Sequence, residues 1–342
     1  MTYPWTWYAD ADVLRREQTR IFARAWQYVG HTGQVANVGD YFTAALGRIP
    51  VVVTRAEDGE VRAFANVCRH RGSVVAEGAG NRRTLQCPYH AWTYGLDGAL
   101  RAAPRSDFDL SELSLAPIRL ERWGPFLFAN AQLDAAPLAE VLGDVPTEVA
   151  DAGIAVEELR FHHRAEWTID ANWKLVSENF LECYHCAVAH PGFTAMVDVS
   201  PESYRLETAG LVSSQFGALR DNGRAPYDAD GEVRRGQFHF LFPNTGLNIF
   251  PGRANLSIGP IVPAGPERTA RYLDYFFAAD ADEGWIEELL AFDDQIGRED
   301  TALVERAQVG VAAGAVESGR LLGESERLVA HFQQLLQEAL GA

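Results

Sequence analysis

Four residues in the first third of the chain have types and spacings that could do redox chemistry. Cys68 and His70 stand one residue apart, Cys87 and His90 two apart, and sixteen residues separate the pairs: C-x-H-x16-C-x2-H. Two thiolates on one iron and two imidazoles on the other make a Rieske [2Fe–2S] cluster, and the imidazoles raise its potential above that of an all-cysteine cluster. A zinc site is the alternative, but zinc fingers group the cysteines in one pair and the histidines in the other, and here each pair is mixed. Turn formers flank both pairs, His70-Arg71-Gly72 and Cys87-Pro88. They predict two loops at hairpin tips, with both imidazoles near the surface where electrons are exchanged.

A second set lies in Asn172-Trp-Lys-Leu-Val-Ser-Glu178-Asn179-Phe-Leu-Glu182-Cys-Tyr-His185-Cys-Ala-Val-Ala-His190-Pro191. His185 and His190 are five apart at a predicted helix end. Two imidazoles and a carboxylate, with positions left open, suit a non-haem Fe(II) that binds O2. Taken alone, two such histidines read equally as core or surface residues. Cys183 and Cys186 also spell C-x-x-C, a zinc or redox pattern, but no second C-x-x-C accompanies it. With Cys68 and Cys87 they are the chain's four cysteines, too few for a disulfide framework. The expectation is that Cys183 and Cys186 stay free and pack as small apolar residues.

The elements that must position these groups follow from residue pattern. Residues 10–26 place Leu14, Ile21, Phe22 and Ala25 on one helical face. From 41 to 131 the texture changes to short strands, Tyr41–Leu46, Val51–Arg55, Val61–Asn66, Ile118–Leu120 and Phe126–Asn130, with turn signals at Asp58-Gly59 and Asp97-Gly98. Pro137 and Pro146 mark a linker. A strand at 159–168, a helix over 171–189, a β-rich middle over 203–276 and a helical block over 281–340 follow. In that last block Leu328, Phe332, Leu335, Leu336 and Ala339 form an apolar face.

Composition narrows the function. The net charge of −17 argues against nucleic-acid binding. No apolar run reaches the roughly 18 residues of a membrane span, and the first residues lack a secretory pattern, so a cytoplasmic location is expected. No G-x-G-x-x-G follows a strand, so hydride from NAD(P)H would have to arrive through another protein.

At this point the chain resembles the α (terminal oxygenase) subunits of Rieske non-haem iron oxygenases. The motifs are C-R-H-R-G, C-P-Y-H-A-W, N-W-K-x7-E-C-Y-H-x4-H-P and E-D-x7-Q-x-G, which together span nearly the whole chain. Ser73 and Thr93 stand where high-potential Rieske proteins carry two further cysteines, so the cluster resembles the lower-potential oxygenase type. The E-C-Y-H-C wording is similar to oxygenases acting on glycine betaine, choline-like or carnitine-like amines, and also to many ring hydroxylases. The resemblance implies an α+β fold. It comprises an N-terminal helical segment (1–35) packed on the catalytic domain, a small all-β Rieske domain (36–135), and a helix-grip-like catalytic domain (136–342) with an antiparallel sheet and helices. It implies a [2Fe–2S] cluster on Cys68, His70, Cys87 and His90, a mononuclear Fe(II), O2 as cosubstrate, and a flavin/iron–sulfur reductase or ferredoxin drawing on NAD(P)H. The reaction is either ring hydroxylation or oxidative N-demethylation or other monooxygenation of a quaternary amine. The alternative is a Rieske electron carrier without oxygenase activity.

The third iron ligand, beside His185 and His190, must be a distant carboxylate. Asp293 and Asp300 share one helical stripe, so periodicity leaves both open, while the family's spacing of eight residues before a glutamine, here Gln308, selects Asp300. Glu299 and Asp294 point elsewhere and are expected to be solvated. The resemblance makes Glu182 the acid that bridges the two metal sites across a subunit boundary, in a head-to-tail homotrimer. Phe238, His239, Phe240, Phe242, Asn244 and Asn248 are expected to wall the substrate pocket, as a cation–π cage or as ordinary core.

Overall fold

The computed structural model describes residues 2–220 and 223–341. Contacts divide the chain into two units: residues 18–138, and the residues up to Glu17 together with those from Ala139 onward.

Among the described residues, the first unit is built from ten strands. These are β1 (Gln27–His31), β2 (Asp40–Leu46), β3 (Ile49–Arg55), β4 (Val61–Ala65), β5 (Ala79–Asn81), β6 (Thr84–Gln86), β7 (Thr93–Gly95), β8 (Leu100–Ala102), β9 (Pro117–Trp123) and β10 (Phe126–Asn130). One sheet runs β1-β10-β9-β4-β3-β2-β5, and β6-β7-β8 form a smaller one. Neighbouring strands pair antiparallel. β3 shows how the sequence builds two cores. Successive strand residues point to opposite faces, so Val51 and Val53 pack with Phe42, Leu46 and Leu127. Val52 goes the other way, to Phe64, Tyr94, Trp92 and the two cysteines Cys68 and Cys87.

The second unit carries α1 (Ala11–Glu17), α2 (Leu138–Leu142), α3 (Val145–Asp151), β11 (Arg160–Ile169), α4 (Trp173–Phe180), α5 (Cys186–Ala189), α6 (Pro191–Met196), β12 (Arg205–Ala209), β13 (Val212–Ala218), β14 (Arg235–Leu241), β15 (Thr245–Ile249), β16 (Asn255–Gly265), β17 (Arg268–Phe277), α7 (Glu283–Ala312) and α8 (Arg327–Leu340). Strands β12 to β17 follow one another across an antiparallel sheet, and β11 is added beside β17. Helix α4 packs on α7 and on β16 and β17, while α8 covers β12 and β13.

Two expectations change here. The helix expected over 171–189 is interrupted: α4 ends at Phe180, a turn carries Glu182 to His185, and α5 and α6 meet at His190. Pro191 is the cause of the second break, because it disfavours helical backbone at the residue before it and suits the first position of a new helix. The C-terminal block is two helices, α7 and α8, joined by an irregular segment. Asp282 caps α7, its side chain accepting from the Trp285 N–H at 3.1 Å. At 30 residues α7 is about 45 Å long.

The start of α4 is held by buried polar contacts. Gln308 on α7 accepts from the Asn172 backbone N–H at 2.9 Å, and Asn172 caps α4 through the Lys174 N–H. Lys174 donates to Glu17 of α1 at 2.7 Å, and the Trp173 indole donates to the same carboxylate at 2.8 Å. Both charged side chains are fully buried. Burial pushes the Lys174 ammonium below its ordinary pKa, and Glu17 pushes it back up. A buried pair of this kind is strongly destabilising when one partner is removed.

Candidate active site and metal centres

Cys68 and Cys87 occupy two loops of the same build. The Cys68 N–H donates to Ser73 O and the Gly72 N–H returns to Cys68 O. In the second loop Cys87 N–H donates to Trp92 O and Ala91 N–H to Cys87 O. Each loop turns through a residue with positive φ, Gly72 at 75° and Ala91 at 56°; glycine takes that conformation without cost. Both thiols are buried while His70 and His90 are exposed, and the two Nδ1 atoms stand 3.2 Å apart. Trp92 stacks on His70 and Tyr89 on His90. The Tyr94 hydroxyl lies 3.4 Å from Cys68 Sγ. At Cys87 burial favours the thiol, but the backbone N–H groups of Tyr89 and His90 and the Cys68 side chain outweigh it and lower the pKa. Two buried sulfurs backed by backbone donors and two outward imidazoles on facing loops fit the mixed ligation of a Rieske cluster.

In the second unit, His185, His190 and Asp300 come together. His185 Nε2 is 3.1 Å from His190 Nε2, His190 Nε2 is 3.0 Å from Asp300 Oδ1, and His185 Nε2 is 3.4 Å from the same oxygen. Ligands about 2.1 Å from one metal and at right angles stand about 3.0 Å apart, so this triangle matches one face of an octahedron. The outer nitrogens are also held. His185 Nδ1 pairs with Glu182 Oε1, and His190 Nδ1 donates to Glu299 Oε2 at 2.7 Å. Glu182 also accepts from the backbone N–H groups of Tyr184 and His185, which locks the turn after α4. Asn179 donates to Asp300 Oδ1 at 2.8 Å. Burial disfavours the imidazolium at His185, yet Asp300 and Glu182 prevail and raise its pKa to about 9. Burial likewise opposes the charged form at Asp300, but the two histidines hold the carboxyl well below the usual range.

Residues 156–342 match the ring hydroxylating alpha subunit (catalytic domain) family, and residues 25–113 match the Rieske [2Fe-2S] domain. The chain is a Rieske non-haem iron oxygenase α subunit. It is 32% identical over 358 residues to a chloroplastic choline monooxygenase of Beta vulgaris, covering 99% of this chain and 77% of that one. It is 32% identical to the carnitine monooxygenase oxygenase subunit of Escherichia coli, covering 98% and 92%. A solved quaternary ammonium Rieske monooxygenase superposes with a TM-score of 0.86 at 30% identity, over 99% of this chain and 95% of that one. The oxygenase therefore uses a Rieske cluster, a mononuclear iron, O2 and electrons supplied by a reductase or ferredoxin, and the carrier-only alternative has no support.

A cavity of about 900 Å³ opens beside the His185–His190–Asp300 triangle. Its walls include Trp167, Phe193, Phe238, Phe250 and Tyr275, with Asn248 and Arg271 among the polar groups. Of the expected wall residues, Phe238 and Asn248 line it. His239 does not: one residue along β14 it faces the opposite side, bound to Ser214 Oγ at 2.8 Å and Gln237 Oε1 at 3.2 Å. Phe240 and Phe242 pack on Phe332 of α8, and Asn244 donates to Ile261 O.

Two further expectations are corrected. Cys183 and Cys186 are joined in a disulfide whose loop contains His185. Glu299 is not merely solvated, since it holds His190. Asp293 is a buried acid of the cavity wall, accepting from the Tyr275 hydroxyl at 2.6 Å; burial raises its pKa against the pull of Tyr275 and Arg271. Asn179 and Arg271 were not singled out from sequence. For Arg271 a signal existed, since Arg271, Leu273 and Tyr275 alternate along β17 onto one face.

Proposed function

We propose that this oxygenase hydroxylates a small quaternary ammonium compound, with His185, His190 and Asp300 holding Fe(II) and Cys68, His70, Cys87 and His90 holding the cluster. The observation that carries the iron assignment is the triangle of donor atoms 3.0 to 3.4 Å apart. When bound, the cluster supplies single electrons and the Fe(II) supplies O2 activation. The chain's own residues do the rest. Glu182 and Glu299 fix the two imidazoles with Nε2 facing inward and Nδ1 carrying the proton, a carboxylate–histidine arrangement that raises ligand basicity. Asn179 orients Asp300. Aromatic side chains such as Phe193, Phe238 and Phe250 wall the cavity beside the triangle.

The substrate class is supported by the aromatic walls and by the curated relatives, which are named for choline and carnitine. A quaternary ammonium binds over aromatic faces through cation–π attraction. The aromatic-ring reading has less support, because the relatives at about 30% identity are named for choline, carnitine or quaternary ammonium compounds. We also read Glu182 as the bridge to a cluster histidine of a neighbouring subunit in a homotrimer; the solved relative's structure is described as bearing on inter-subunit electron transfer.

The test is substrate-dependent O2 uptake by iron-replete protein with a surrogate reductase, across trimethylammonium compounds and aromatic acids. Formaldehyde or a hydroxylated amine fragment is the expected product. A cis-diol or phenol would overturn the reading.

A further inference from the structure

Arg271 sits on β17, the second strand from the β11 edge of the sheet, opposite Trp167 on β11 and Ile261 on β16. It lines the cavity. Its guanidinium carbon lies 5.4 Å from the Trp167 ring centre and 6.0 Å from that of Phe180, so two aromatic rings flank it. Its Nε is buried with no hydrogen-bond partner, and among the described residues no carboxylate forms an ion pair with it. Asp293 and Asp300 act on it only from a distance, and both have other partners: Asp293 takes the Tyr275 hydroxyl, and Asp300 takes Asn179 and His190.

An arginine keeps its charge at any physiological pH and presents a flat fork of donors that matches a carboxylate. Leaving such a group unpaired in an apolar wall is costly. The other arginine near this edge of the sheet shows the contrast. Arg164 on β11 is satisfied by two bonds to Asp274, at 2.6 and 2.8 Å. Arg271 has no such acid, and it stands in the cavity wall.

We propose that Arg271 anchors an anionic group of the substrate, so that the preferred ligand is a zwitterion with a carboxylate opposite its ammonium rather than a trimethylammonium alcohol. This rests on the quaternary ammonium reading above for the second half of the ligand only; the anion site stands on Arg271 itself. The carboxylate would pair with the guanidinium while the cationic end lies against aromatic walls such as Phe238, Phe250 and Tyr275, and the ligand length would set which methyl group faces the iron.

The test is calorimetric binding to iron- and cluster-replete protein without reductant. The probes are γ-butyrobetaine, its uncharged carboxamide, choline and benzoate. The acid should bind wild-type protein at least about tenfold more tightly than the amide, as expected for a charge-assisted contact. Arg271→Met should abolish that preference, so that acid and amide bind alike. Equal affinity of acid and amide for wild-type protein overturns the proposal, and that comparison needs no variant to fold. Retained acid preference in Arg271→Met overturns it as well. If choline and the amide bind as well as the acid, the ammonium reading survives and the anion anchor falls. If benzoate alone binds, and does so through Arg271, the anchor stands and the ammonium reading falls.

Discussion

Glu299 accepts a hydrogen bond from Nδ1 of His190 at 2.7 Å. That single contact selects which imidazole nitrogen is free to meet a metal. It comes from the residue immediately before Asp300, so one turn of α7 supplies both a ligand candidate and the clamp on its neighbour.

Replacing that clamp should weaken the iron site without emptying the cluster. Carboxylates in this position typically contribute 10- to 100-fold in metal affinity. Glu299→Ala should therefore lose mononuclear iron to a chelator about 10- to 100-fold more readily, with acid-labile sulfide unchanged. Iron and sulfide analysis after dialysis checks both numbers, and wild-type iron retention would show that the contact is dispensable.

Glu182 faces His185 from the turn after α4. Glu182→Gln preserves size and can still accept from the Tyr184 and His185 N–H groups, so both metals should remain. Turnover should fall by at least tenfold or so, the range seen when a group orienting a metal ligand is altered. Reoxidation of the reduced cluster in the presence of O2 and substrate, followed by stopped-flow absorbance, measures the step directly. Reoxidation at the wild-type rate would end the bridging role.

His239 predicts an acid limb of stability. Burial drives its pKa down to about 3, with the charge of Arg235 adding to the effect. Glu148 lies 3.8 Å away, but burial raises its own pKa, so it does little to hold an imidazolium. The folded value is below the unfolded value of about 6.5, so the unfolded chain takes up the proton first. Stability is whole above about pH 6.5 and drains as the pH falls toward 3, by up to about 1.4 kcal/mol per pH unit from this group. Urea midpoints at pH 7, 6 and 5 should converge between wild type and His239→Gln if the variant starts less stable, because only the wild type carries this slope. Parallel midpoints would mean that His239 is not responsible.

The Cys183–Cys186 disulfide removes a competitor from the iron site. Cys186 Sγ and the His185 and His190 nitrogens lie within 4.8 Å of one another, and a thiolate there would offer a soft ligand favouring zinc. Reconstitution with equimolar Fe(II) and Zn(II) should give more zinc after reduction of the disulfide than before. Cys186→Ser should show no effect of reductant. Metal analysis of the four samples decides it.

Much of this was legible because short motifs carry their own chemistry. The C-x-H and C-x2-H pairs named their residues and their loops, and the strands of the first unit followed from alternation such as that of Val51, Val52 and Val53. The His185–His190 spacing gave two corners of the triangle, while Asp300 needed the family spacing to Gln308, since Asp293 shares its stripe. Gln308 then proved to register α7 against the cap of α4, which gives that spacing a physical reason. Glu299 was misread because helical periodicity reports which side of a helix a residue lies on, not whether a neighbouring segment arrives there. His239 was misread for the opposite reason: a histidine between two phenylalanines on a strand must face away from them.

Lys174 is the only lysine of the chain, and it lies wholly inside, against Glu17. Acylating reagents aimed at lysine amines therefore find no side chain to react with while the fold is closed. The same reagents become a reporter of opening between α1 and α4 with a single side chain to read, seen as one mass increment on the peptide that carries Lys174.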